Sequence, residues 1–211
     1  MPRWKPEREW EGQDAIIIGG GPSLKGFDWG LIEGEHTIGC NSAFTLGSRV
    51  CSICLFSDQH WFNKYADELK NFDGRVVTQC EYINENIHFI SKMARHETEM
   101  TAEGDSLYFG YGCCSGTSAI HLALLMGAKR VFLLGFDGKL GLERESNWHN
   151  RVIEPPNQRV YEKFYRGFDK LAKTYQQVFP GTEIFNCNPE SAYTQFPFKE
   201  LPVPASKLFM D

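Results

Sequence analysis

The stretch Ala15-Ile16-Ile17-Ile18-Gly19-Gly20-Gly21-Pro22-Ser23 carries the residue types best suited to hold an anion. Three β-branched isoleucines favour a short buried strand. Three glycines then free the backbone, and Pro22-Ser23 is suited to open a helix. A strand that runs through glycine into a helix start leaves unpaired N–H groups converging on one point, where a phosphate is stabilised. A second loop of this kind, Gly110-Tyr-Gly112-Cys-Cys-Ser115-Gly116-Thr117-Ser118, leads into an apolar helical run that Ser115 or Thr117 can cap. Two such loops in one chain favour a ligand that carries phosphate.

The details of the first loop argue against two common nucleotide classes. The third glycine of a dinucleotide fingerprint is replaced by Leu24, and the second strand ends in Asn41 where an acidic residue would hold a ribose. No Gly-Lys-Ser/Thr follows, so the loop is not a P-loop either. The Asn41 amide both donates and accepts, which suits a base edge or a sugar hydroxyl, and Ser42 stands beside it.

Three titratable residues stand out. Asp58 and Asp137 follow apolar runs and fall at strand ends, where each is placed to hold a metal, orient a sugar hydroxyl or act as a base. His149, in Asn147-Trp148-His149-Asn150, lies in an irregular stretch over 138–157 that reads as a lid or binding loop. A histidine there is a candidate proton carrier. His121 lies within a helical run and reads as packing.

These residues need elements to position them. Apolar runs predict strands over 15–18, 37–40, 51–56, 75–78, 106–109, 130–134 and 182–185. Helices are expected over 23–32, 59–70, 86–95, 118–126 and 158–177. The last is the clearest, because Val160, Phe164, Phe168, Leu171 and Tyr175 recur on one helical face. Alternating strands and helices imply an α/β fold of Rossmann-like type, with a mostly parallel sheet and helices on both faces. In such sheets ligands bind beyond the carboxyl ends of the strands, and the small and polar residues gather at that edge.

The 211 residues are enough for one domain, and residues 1–211 are read as a single nucleotide-binding unit, with 196–211 as a surface tail. The net charge of −5 makes nucleic acid an improbable partner and leaves an oligomer open. No apolar run approaches the roughly 18 residues that span a bilayer, and the first ten residues lack a signal-peptide core, so the expected compartment is cytoplasmic. Seven cysteines, an odd number, sit mostly in apolar contexts and read as buried free thiols, including the Cys51-Ser-Ile-Cys54 pair.

Gly20-Gly21-Pro22-Ser23-Leu24, then Cys40-Asn41-Ser42, resembles the opening of the bacterial CMP-sialic-acid-dependent sialyltransferases of the family-42 type. The likeness continues in patches through Ser115-Gly116-Thr117-Ser118, Gly135-Phe136-Asp137, Lys173-Thr174-Tyr175 and Cys187-Asn188-Pro189-Glu190-Ser191. That resemblance implies a CMP-sugar-like donor held by Gly20, Gly21, Ser23, Asn41, Ser42 and Thr117 or Ser118. It implies His149 as general base and a small-molecule or glycan acceptor. Gly20 stands where that family carries asparagine.

The same loops are also similar to a domain family that includes the archaeal 6-hydroxymethyl-dihydropterin diphosphokinase, with 116–137 matching its second unit. That likeness implies ATP and Mg²⁺, with Asp58 and Asp137 as metal ligands. Short viral members of this broad group lack an assigned reaction, which leaves a third reading as a non-catalytic nucleotide-binding or assembly protein. The expectation carried forward is a metal-independent glycosyl transfer by direct displacement. Gly19, Gly20, Gly21, Pro22, Ser23, Asn41, Ser42, Ser115, Gly116, Thr117 and Ser118 are expected around the nucleotide, with His149 and Asp137 catalytic.

Overall fold

The computed structural model describes residues 3–81, 87–92, 100–109, 112–151, 155 and 157–202. Seven strands form one parallel sheet: β1 (Asp14–Ile18), β2 (Thr37–Cys40), β3 (Ile53–Phe56), β4 (Arg75–Thr78), β5 (His88–Phe89), β8 (Arg130–Leu134) and β9 (Glu183–Asn186). Their order across the sheet is β5-β4-β3-β2-β1-β8-β9. A separate two-stranded ribbon pairs β6 (Ser91–Lys92) with β7 (Ser106–Leu107). Among the described residues three α-helices complete the fold: α1 (Gln59–Leu69), α2 (Ser115–Leu125) and α3 (Gln158–Val178).

The central strands are apolar on both faces because both faces are covered. On β1, Ala15 and Ile17 enter one core with residues of α2 and α3, while Ile16 and Ile18 enter a second core with residues of α1. Val131 and Leu133 of β8 follow the first pattern, Phe132 and Leu134 the second. Along a strand alternate side chains point to opposite faces, so one strand serves two cores. α2 is apolar nearly all round and is buried from Gly116 to Leu125. α3 buries only a stripe, Gly167, Phe168, Leu171 and Tyr175, and starts at Asn157, whose side chain accepts the Arg159 N–H at 3.0 Å.

Three expected elements differ. The helix over 23–32 is two short 3₁₀ turns, Pro22–Leu24 and Trp29–Ile32. Gly26, at φ +79°, lies between them in a left-handed conformation that stops a right-handed helix, and Asp28 restarts it by capping Gly30. The strand over 106–109 shrinks to Ser106–Leu107 and stays out of the main sheet. Tyr108 N–H donates instead to His121 Nδ1, and Tyr108 C=O accepts from Ser118 Oγ, so α2 side chains take the place of a strand partner. Within the expected helix over 86–95, residues 88–89 and 91–92 are strands; Asn86 and residues 93–95 lie outside the described residues.

All seven cysteines are free thiols, with Cys51 and Cys54 buried. Part of the tail closes the sheet edge, since Asn186 N–H donates to Pro197 C=O and Lys199 N–H to Asn186 C=O. Among the described residues no helix is long and apolar enough to cross a membrane.

His121 is packing, as its place in the sequence suggested. It is fully buried, accepts from Tyr108 N–H and turns Nε2 to Thr101 C=O at 2.8 Å. Burial pushes its pKa down to about 4. The unfolded chain therefore takes up a proton near pH 6.5 that the folded chain refuses until about pH 4. Stability is unaffected above that window, falls as pH drops through it by on the order of 3 kcal/mol, and levels off below. Urea unfolding of wild type and His121→Gln should show the wild type's advantage shrinking between pH 7 and pH 4.5. A pH-independent difference would remove His121 from the acid response.

Candidate functional site

The chain leaves β1 toward β2–β5 on one side and returns to β8 and β9 on the other. The strand order therefore reverses between β1 and β8, and in open parallel sheets the crevice beyond such a reversal binds ligands. A cavity of about 460 Å³ opens there, lined by the loops after β1, β2, β3 and β8, by the start of α2 and by the segment before α3. Its size is that of a small-molecule site.

The glycine loop is held tightly. Gly19 N–H donates to Leu134 C=O and Gly21 N–H to Gly135 C=O, both at 2.8 Å, which zips the loop onto the end of β8. Cβ atoms at 19 or 21 would meet Gly135 C=O at 2.7 and 2.5 Å, so only glycine permits this approach. These two N–H groups are thus spent within the protein. The Gly20 N–H meets no acceptor among the described residues, and Gly20 lines the cavity.

Asp137 explains the other half of the loop. Its buried carboxylate accepts Ser23 N–H at 2.8 Å, Ser23 Oγ–H at 2.6 Å and Asn188 Nδ2–H at 2.9 Å. It ties three strand-end loops together. Asp58 caps α1, accepting His60 N–H and Trp61 N–H on Oδ1. Both acids line the cavity and each is already engaged, Asp137 by Ser23 and Asn188 and Asp58 by the first turn of α1. Among the described residues no three His, Cys, Asp or Glu side chains converge as a metal-holding group.

Asn41 leaves β2 at φ +52°, a left-handed conformation that asparagine tolerates better than most residues. Its Oδ1 accepts from Ser115 Oγ at 3.4 Å, linking the β2 loop to the N-terminus of α2. Ser42 is buried, and its Oγ accepts from Trp61 Nε1. Ser115 and Gly116, the first two residues of α2, line the cavity, so the positive end of a buried helix faces it.

The structure brings Gly19, Gly20, Gly21, Asn41, Ser42, Ser115, Gly116, Asp58, Asp137 and His149 to this one cavity. Pro22, Ser23, Thr117 and Ser118 do not line it. Ser23 serves Asp137, Thr117 caps α2 through Cys114, and Ser118 bonds Tyr108 C=O.

The irregular segment before α3 is fastened across the glycine loop. Trp148 donates its backbone N–H to Gly20 C=O at 3.0 Å and its indole N–H to Gly19 C=O at 3.1 Å. Its ring packs on Trp29 at 5.1 Å, and Tyr161 of α3 donates to Ser146 C=O. A Cβ on Gly20 would lie 2.5 Å from Asn147 Oδ1, so the Asn147 carboxamide occupies the space a side chain at position 20 would need.

His149 stands next in this segment, partly buried, with its ring packed edge-on against Trp148. Burial pushes its pKa down to about 4, and the nearby Arg151 charge adds to the effect. Its Nδ1 accepts the Arg151 N–H at 3.2 Å, so in the neutral ring the proton sits on Nε2.

The sequence reading missed Arg151, Asn147, Tyr161, Phe164 and Tyr193, all of which line the cavity. Phe164 carried a signal: it belongs to the apolar face of α3, whose N-terminal end overlooks the cavity, with Phe168 both lining it and entering the core and Leu171 entering the core.

No family model matches this chain, and no curated protein matches it. Solved structures do. The sialyltransferase CstII from Campylobacter jejuni, in complex with the substrate analogue cytidine-5'-monophosphate, aligns over 95% of this chain and 87% of its own, at TM-score 0.52 and 14% identity. The MAf glycosyltransferase from Magnetospirillum magneticum AMB-1 aligns over the whole of this chain at TM-score 0.58 and 14% identity. This chain spans 36% of that one's length. The chain thus has a Rossmann-like α/β fold shared with glycosyltransferases, a likeness of fold that leaves the reaction to be argued from the site.

Proposed function

We propose that this chain binds a nucleotide-sugar in the cavity between β1 and β8 and transfers the sugar to a hydroxyl acceptor by direct displacement. The observation that carries the reading is the convergence there of the Gly20 N–H, the Asn41 amide, the open end of α2 and His149. The fold likeness to a sialyltransferase crystallised with CMP supports it. The donor's phosphate would face Gly20 and the start of α2, Asn41 and Ser42 would hold its sugar or base, and the cavity's aromatic side would take the apolar surfaces. The described chain acts as one nucleotide-binding unit, with residues 138–151 as the cover of the site.

In the transfer, His149 takes the proton of the acceptor hydroxyl as its oxygen bonds to the sugar carbon. The nucleotide phosphate leaves with the electrons of the broken bond. Because Nδ1 is engaged by Arg151 N–H, the base role requires that bond to open in either case: Nδ1 then accepts directly, or it takes the ring proton and leaves Nε2 as the base. Asp137 holds the loops in place and takes no part in proton transfer.

A thermal-shift panel of CMP, UMP, GDP, ATP and CMP-sialate, each with and without EDTA, tests the reading. A cytidine or uridine nucleotide that stabilises the protein equally with EDTA is the expected result. No shift with any nucleotide at millimolar concentration would overturn it, and loss of binding in EDTA would overturn its metal independence.

Asn41 provides a residue-level test. Asn41→Ala should weaken nucleotide binding by about 1–3 kcal/mol through lost hydrogen bonds. It should also cost about 1 kcal/mol of stability, because alanine is strained at φ +52°. Asn41→Gly should show the binding loss without that strain. Calorimetric titration and urea unfolding of both variants separate the effects; unchanged affinity in both would take Asn41 out of the site.

A further inference from the structure

Among the described residues that line the cavity, Arg151 carries the one permanent positive charge, in a lining that also holds the acids Asp58 and Asp137. Its guanidinium is placed with care. A terminal nitrogen pairs with Glu68 Oε2 at 2.5 Å, and the group lies 5.3 Å from the Tyr65 ring and 5.9 Å from the Phe44 ring. Both rings are buried in the core on the α1 side, so the platform is rigid. Glu68 comes from the same helix as Tyr65, one turn on. The backbone N–H of Arg151 bonds His149, and the residue follows Trp148, which is fastened to Gly20, by three positions. Three residues span at most about 11 Å, so the Arg151 backbone lies within that reach of the residue fastened to the glycine loop.

Stability does not account for this arrangement. The Arg151 and Glu68 side chains are 32% and 48% exposed, and an ion pair of that exposure contributes little. A planar fork of five N–H donors seated on aromatic rings, with a carboxylate using part of it, is a geometry suited to the oxygens of an oxyanion.

We propose that Arg151 recognises phosphate in this cavity alongside the Gly20 N–H and the start of α2. Its fork takes the oxygens of a phosphoryl group, and Glu68 serves as the counter-ion that holds the guanidinium in position until the ligand arrives. The proposal rests on the nucleotide reading only for what carries the phosphate, and not for the phosphate itself.

Calorimetric titration of the intact protein with cytidine, CMP, CDP and inorganic pyrophosphate tests it, using wild type, Arg151→Gln and Glu68→Gln. Wild type should bind pyrophosphate, and CDP more tightly than cytidine. Arg151→Gln should weaken pyrophosphate and CDP by about tenfold or more and leave cytidine unchanged. Glu68→Gln should strengthen both anions, since it removes the competing carboxylate. A merely structural ion pair would move the two variants in the same direction, because each breaks it. Equal weakening in both variants, unchanged anion binding in Arg151→Gln, or no pyrophosphate binding to wild type would overturn the proposal. Arg151-dependent binding of pyrophosphate with no binding of CMP or CDP would support the phosphate site and sink the cytidine-nucleotide reading instead.

Discussion

His149→Ala is expected to lower turnover by about two to four orders of magnitude, the contribution of a placed general base, while nucleotide affinity stays within a few-fold of wild type. The two effects separate because His149 handles the acceptor's proton, whereas the glycine loop, Asn41 and the start of α2 handle the donor. The pH profile carries a second signature. With its pKa pushed down to about 4, the imidazole is neutral and able to accept a proton across the whole neutral range. The acid limb of kcat/KM should therefore fall near pH 4 rather than near the ordinary histidine value. His149→Gln sharpens the test, because glutamine can donate a hydrogen bond but cannot act as a base. If the glutamine variant kept near-normal turnover, His149 would be a hydrogen-bond donor and the proton would leave by another route.

Asp137→Ala should give the largest stability loss of any single change at the site. The carboxylate satisfies Ser23 N–H, Ser23 Oγ–H and Asn188 Nδ2–H in a buried position, and alanine would leave three donors without an acceptor. Charge-assisted bonds of this kind place the cost at about 3–5 kcal/mol. For a chain of this size that lowers Tm by roughly 6–20 °C. Asp137→Asn keeps the shape and one acceptor oxygen and should lose distinctly less. Nucleotide binding should weaken in both variants in step with the loosening of the glycine loop. An alanine variant with wild-type Tm would show that the brace is dispensable, and would reopen a chemical role for the carboxylate.

Much of the framework was legible because it depends on local pattern. The isoleucine run of β1, the Arg130–Leu134 run of β8 and the apolar stripe of α3 each fix an element and a face. The alternation of elements then fixes which ends of the strands meet. The glycine loop was legible as a place but not as a mechanism. Its strand–glycine–helix pattern suggested a cradle of free N–H groups, whereas β8 and Asp137 consume most of them and no α-helix follows. Which of the serines and threonines face the ligand depended on where α2 begins. It starts at Ser115 rather than 118, so Thr117 and Ser118 rotate into the buried side of its first turn. Tyr193 could not be read at all, since only tertiary packing carries it to the cavity, and Arg151 lay in the expected binding loop with no local pattern to single it out. Asn147 had a neighbour in the right segment but no local pattern of its own. Its role depends on the space above Gly20, which the sequence does not display.

The most direct test of the central claim is a crystal structure of the protein grown with the nucleotide that gives the largest thermal shift. The account predicts density between β1 and β8, with the phosphate against Gly20 N–H and the first turn of α2, and the nucleoside within reach of Asn41 and Ser42. A nucleotide bound elsewhere on the molecule, with this cavity holding only solvent, would contradict it.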